Sequence, residues 1–182
     1  MEIGRIIKNY KISKITEFYW FYSAHIIFRG KIIMNEIEAL LHSQFLELQR
    51  TPGVESIEMT PDIYRWTVVI AGFTGSPYEG GVFPILFDFS DGFPNKFPKI
   101  MFICPMFHPN VDYLGFIRLD NFEDPVLHGI NICGIVSFIH SLMSEPNIDY
   151  NENEEATRIY LTDKKEFARK VQRIVNQSMS YC

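Results

Sequence analysis

Three apolar runs constrain this chain most: "YRWTVVIAGF" (64–73), "VFPILFDF" (82–89) and "KIMFICPMF" (99–107). Each is rich in β-branched and aromatic residues, the composition of strands. The first two are separated by "TGSPYEGG", whose Ser, Pro and glycines suit a turn, and the third is cut off by Pro105 and Pro109. No stretch between them is long enough for a crossover helix, so the runs read as an antiparallel meander rather than a βαβ repeat.

Helical patterns flank the strands. Ile37, Leu40, Leu41, Phe45 and Leu48 recur at three- and four-residue spacing, and Thr51-Pro52-Gly53 stops the pattern. "GINICGIVSFIHSLMSEPN" (129–147) reads as a buried helix ended by Pro146. Asn151 to Glu155 reads as a solvated acidic patch. "EATRIYLTDKKEFARKVQRIVNQS" (155–178) is helical, with a break expected near Thr162-Asp163, where Thr or Asp can cap a new start. Helix, meander, helices is an α+β order.

With 182 residues, 47% hydrophobic, the chain fits one domain with a substantial core. A formal net charge of −5 and no clustered basic face beyond residue 34 argue against nucleic acid as a partner. Cys104, Cys133 and Cys182 form neither a CxxC pair nor an even disulfide framework, so cytoplasm or nucleus is the expected location. His25, His42, His108, His128 and His140 lie far apart without metal-ligand spacing, and no metal or other cofactor is expected.

Charge is uneven. Residues 1–33 hold six Lys/Arg against two acids and include Phe18-Tyr19-Trp20-Phe21-Tyr22. They read as an N-terminal extension, with 34–182 as the domain. A membrane-surface contact through 1–33 is a secondary reading, since "FYWFYSAHIIF" is too short to span a bilayer.

From about Ile37 onward the chain resembles the ubiquitin-conjugating enzyme domain. The motifs are the tryptophan of "YRWTVVIAGF", "SPYEGGVF", "FPNKFPKIMF", the tripeptide His108-Pro109-Asn110, the G-x-I-x-L-D frame of 115–120, the "EPN" of 145–147 and "ATRIYLTD". The resemblance implies an N-terminal helix, a four-stranded meander and C-terminal helices. It also implies that the residue between Ile117 and Leu119-Asp120 is the cysteine that accepts ubiquitin as a thioester. Here that residue is Arg118. A guanidinium protonated up to about pH 12 supplies neither a nucleophile nor a suitable leaving group.

The neighbours read as vestigial. Asn110, which the resemblance makes an oxyanion stabiliser, has a structural reading as the bracket of a turn, and His108 reads as a packed turn histidine. Cys104, on a strand, and Cys133, on the apolar helix, are the substitute nucleophiles to weigh; Cys182 is read as an incidental thiol. Other departures from the family pattern are Ala39, Leu40 and Ser43 where Lys and Arg are usual, Asn95 where a large apolar residue is usual, Leu127-His128-Gly129 for Ser-Pro-Ala, Val126 for a tryptophan and Tyr150 for an aspartate. Arg118 is expected to bind an acidic group on a partner or to pair with Asp120 or Asp112.

Fold and function therefore separate. The leading expectation is a catalytically inactive variant, a pseudoenzyme serving as a binding or regulatory module, with ubiquitin and/or an active conjugating enzyme as protein partners. The alternatives are an active enzyme using a non-standard cysteine, and a fused-toes-like adaptor in vesicle transport. Candidate partner contacts are Phe18, Trp20 and Phe45, because aromatics dominate interface energetics; the other reading is that they bury within the domain, and for Phe45 burial is the favoured one.

Overall fold

The computed structural model describes residues 27–28, 31–32, 36–60, 62–122 and 131–180. The chain divides into two units, Met1–Ala39 and Leu40–Cys182. Within the first, β1 (Ile27–Phe28) and β2 (Lys31–Ile32) pair as a small antiparallel hairpin, and helix α1 (Glu36–Leu48) begins. Phe18 and Trp20 lie outside the described residues.

In the second unit α1 buries Leu41, Gln44, Phe45 and Leu48, one stripe at helical spacing. It ends in a turn where Gly53 takes φ +81°. The meander follows: β3 (Val54–Met59), β4 (Arg65–Ala71), β5 (Val82–Asp88), β6 (Lys99–Phe102) and β7 (Phe116–Ile117), each antiparallel to the next. Three differences from the sequence reading appear. β3 is not among the three runs read as strands, β7, only two residues long, makes the sheet five-stranded rather than the four-stranded one the resemblance implies, and the strand starting at Lys99 ends at Phe102, before Pro105 removes a ladder donor.

Alternation along β4 puts Trp66, Val68 and Ile70 into the core. Trp66 is fully buried, donates its indole N–H to the Ile63 carbonyl (2.7 Å) and meets the ring edges of Phe45 and Phe89. Phe45 is 5% exposed, so its candidacy as a partner contact is corrected to a core role: its ring is spent on Trp66.

Helices α2 (Ile132–Ser144), α3 (Glu154–Thr162) and α4 (Lys164–Ser178) complete the unit. Asn131, Asn153 and Asp163 cap their first turns by accepting from backbone N–H groups, and Asp163 is the break expected between α3 and α4. Gln44 Oε1 accepts from the Ile132 N–H (2.7 Å), tying α1 to the start of α2. Buried Ser178 accepts from the Val82 N–H (3.0 Å) and donates to the Val175 carbonyl (2.8 Å), tying the last helix to β5. Ser178→Ala would leave the Val82 donor unpaired and is expected to lower unfolding free energy by about 1–2 kcal/mol in urea titration, with the m-value unchanged.

Candidate functional site

The turn after β6 is built around His108, Pro109 and Asn110, all buried. The His108 Nε2 lies 2.8 Å from the Leu142 carbonyl on α2, and since a carbonyl only accepts, Nε2 carries the proton. Nδ1 then accepts from the Asn110 N–H (3.0 Å). Both ring nitrogens are used, and burial pushes the imidazole pKa down to about 4, so the ring is neutral near pH 7. A neutral ring with both nitrogens occupied is a structural post, not a free base.

Asn110 is equally committed. Its side-chain amide donates to the carbonyls of Asn147 (2.5 Å) and Tyr150 (2.7 Å), and its Oδ1 accepts from the Asn147 N–H (2.9 Å). A primary amide has two hydrogens, and both are taken. The Pro109 carbonyl accepts from the N–H groups of Glu152 and Asn153, so backbone bonds reinforce the same bracket. The bracket holds residues 147–153, the approach to α3, against the turn. Tyr150 packs its ring edge on Phe122 at 5.0 Å between centroids.

Asp112 shapes the next loop. Its Oδ1 accepts from the N–H groups of Leu114 and Phe116 (2.9 Å each), closing the loop that leads into β7. Gly115 sits there at φ +92°, and a Cβ would lie 2.5 Å from the Phe102 carbonyl oxygen, so the glycine of the G-x-I-x-L-D frame is required by backbone approach.

Arg118 follows Ile117, at the end of β7. Its side chain is 61% exposed; Nε lies 3.4 Å from Glu152 Oε2 and Nη2 lies 3.9 Å from Asp112 Oδ2. Of the two partners expected from sequence, Asp112 is used; the second ion pair goes to Glu152 rather than to Asp120, which is exposed in the 3₁₀ turn Leu119–Asn121. Leu119 is buried at 2% exposure. Glu152 was missed because "NENEE" has the composition of a solvated patch. The Asn110 bonds to Asn147 and Tyr150 and the backbone bonds to Pro109 hold the segment that brings its carboxylate beside Arg118.

The alternative thiols differ in burial. Cys104 is 3% exposed on the segment after β6, and Cys133 is half-buried in the first turn of α2; neither is in a disulfide. Cys182, Val126 and Leu127-His128-Gly129 lie outside the described residues. Ala39 and Ser43 are exposed on α1, whose last turn holds no basic residue, and Asn95 is exposed. Among the described residues, no group of three or more His, Cys, Asp or Glu side chains is placed to hold a metal ion, and no helix is long and apolar enough to cross a membrane.

The sequence model described as "Ubiquitin-conjugating enzyme" matches residues 33–175. The chain belongs to the ubiquitin-conjugating enzyme family. It is 35% identical over 136 residues to ubiquitin-conjugating enzyme E2 3 of Arabidopsis thaliana, covering 74% of this chain and 91% of the relative. It is 35% identical over 140 residues to ubiquitin-conjugating enzyme E2 1 of Caenorhabditis elegans (76% and 73%), and 31% identical over 140 residues to ubiquitin-conjugating enzyme E2 2 of Fusarium solani (76% and 93%). The helix, antiparallel sheet and C-terminal helices described above are the ubiquitin-conjugating fold, and the family match begins inside the segment read above as an extension.

Proposed function

We propose that this member of the family is a catalytically inactive binding or regulatory module of a ubiquitin or ubiquitin-like pathway. The observation that carries the reading is Arg118: where the resemblance puts the thioester cysteine, an exposed guanidinium is held between two carboxylates. Thioester transfer needs a thiolate to attack an acyl carbon and later to leave from it, and arginine can do neither. Supporting it, both amide hydrogens of Asn110 are bonded to backbone carbonyls, so the side chain has none to spare for an oxyanion. The partners that fit are ubiquitin, which the names of its relatives carry, and an active conjugating enzyme, with a cytoplasmic or nuclear setting.

A charging reaction tests this: the protein with activating enzyme, ATP and ubiquitin, resolved by non-reducing electrophoresis and intact mass beside a control enzyme that charges. The expected result is no reductant-sensitive adduct. An adduct of one ubiquitin cleaved by thiol would overturn the reading, and substituting Cys104, Cys133 and Cys182 singly would identify the nucleophile. The binding role has its own measurement, titration of isotopically labelled ubiquitin with the unlabelled protein. Localised shift changes are expected; their absence, with a panel of ubiquitin-like proteins equally silent, would remove ubiquitin as the partner.

A further inference from the structure

Helix α4 carries a charge that the rest of the domain does not. It holds five Lys/Arg (Lys164, Lys165, Arg169, Lys170 and Arg173) and one acid, Glu166, whereas the other residues from 34 onward hold six Lys/Arg against 19 acids. The linear sequence shows no basic face there because Glu166, Phe167 and Val171 interrupt the run. Helical spacing gathers three of the cations. Lys165, Arg169 and Arg173 recur every four residues on the side away from the buried stripe of Phe167, Val171, Val175 and Ser178, and all three are exposed. Successive members stand about 6 Å apart along the axis, so the stripe runs about 12 Å. Gln172 and Asn176, also exposed, share the face. Glu166 lies at its border, where Arg169 donates two bonds of 2.7 Å to its carboxylate. Lys165 and Arg173 make no ion pair among the described residues.

Helix stability does not account for this placement. Lys164 and Lys165 occupy the first turn, where the macrodipole disfavours cations, and the last turn, where it favours them, holds none. Like charges four residues apart also repel, so Lys165 against Arg169 and Arg169 against Arg173 each work against the isolated helix. Both costs lapse when an anion covers the stripe. We infer that the exposed face of α4 is a docking surface for a short acidic helical segment of a partner protein, whose carboxylates, one turn apart, meet Lys165, Arg169 and Arg173. Charge complementarity carries the choice of occupant. A long polyanion or an anionic bilayer would extend past a stripe of about 12 Å onto a domain that is otherwise strongly acidic, whereas a peptide can confine its carboxylates to the stripe. Nothing at Arg118 enters, so this surface would serve an active or an inactive enzyme alike.

The test uses two synthetic alanine-rich peptides of about 20 residues, long enough to be helical. One carries three glutamates at successive four-residue steps, and the other carries the same three scattered around the helix. The isotopically labelled full chain is titrated with each at low salt, and the shift changes are mapped. The stripe peptide is expected to shift residues 165–176 and to bind more tightly than the scattered one, with affinity falling as salt rises. Combining Lys165→Gln, Arg169→Gln and Arg173→Gln should weaken it about tenfold, the product of three exposed ion pairs each contributing about twofold. Glutamine keeps the helix propensity, and thermal melting verifies that the variant is folded. A control combining Arg50→Gln, Lys96→Gln and Lys99→Gln removes the same charge from exposed positions elsewhere and should leave binding within about twofold. Equal loss in the two triple variants, equal binding of the two peptides, shifts away from α4, or no binding would overturn the inference. So would tighter binding, at the same salt, of a single-stranded oligonucleotide or of phosphatidylserine vesicles, which would make α4 a nucleic-acid or membrane surface instead.

Discussion

Asn110→Asp is expected to destabilise the fold by about 3–5 kcal/mol at neutral pH, although the two side chains are nearly the same size. The amide donates to two carbonyls and accepts from one N–H group at 0% residue exposure. A carboxylate in its place keeps the acceptor but replaces the one nitrogen that carries both donor hydrogens with an oxygen aimed at the oxygens of Asn147 and Tyr150. Protonation relieves half of that conflict by restoring one donor. The variant's deficit relative to wild type at the same pH should therefore shrink as pH falls from 7 to 5. Asn110→Ala, which deletes all three bonds but introduces no charge, should lose about 2–4 kcal/mol with no such pH trend. Urea titrations at both pH values check the set. Stability within about 0.5 kcal/mol of wild type for the aspartate variant would mean that the bracket does not hold residues 147–150, and would return Asn110 to a role in chemistry.

That pair of variants also shows what the primary structure could and could not reveal. The meander was legible because β4 and β5 have an unbroken β-branched and aromatic composition, and the α3–α4 break was legible because Asp163 has a capping side chain where the apolar rhythm falters. β7 was not, since two residues between a glycine turn and an arginine carry no period of their own; pairing with β6 makes them a strand. Position 118 was legible through the frame around it. Its electrostatic surroundings were not: Glu152 lies 34 residues beyond Arg118, on a return anchored by the Asn110 side chain and the Pro109 carbonyl. Phe45 shows a different ambiguity, resolved toward the burial that was favoured. An aromatic on an amphipathic helix suits an interface or a core equally well, and only the edge of Trp66 decides between them.

Acid should unfold this protein earlier than its carboxylates alone would dictate. His108 in the folded state titrates at about 4, pushed down by burial, whereas an unfolded histidine titrates at about 6.5. Between those values the unfolded chain binds a proton that the folded chain refuses, so stability is fully present above pH 6.5 and drains away as pH falls toward 4. The 2.5-unit gap corresponds to roughly 3 kcal/mol over that window, an order-of-magnitude figure. His140 adds to it in the same direction: burial lowers its pKa, its Nε2 donates to the Ala71 carbonyl (3.1 Å), and its ring stacks on Phe73 at 4.0 Å. The mechanism at His108 is local, because a proton arriving on Nδ1 removes the acceptor for the Asn110 N–H and so strikes the bracket itself. His108→Gln separates this from general acid effects. Its amide can reach Leu142 and Asn110 with one donor and one acceptor but does not titrate, so the variant should be less stable than wild type at pH 7.5 yet lose less between pH 6.5 and 4. Parallel slopes for the two proteins in urea titrations across that window would show that His108 is not the group being protonated.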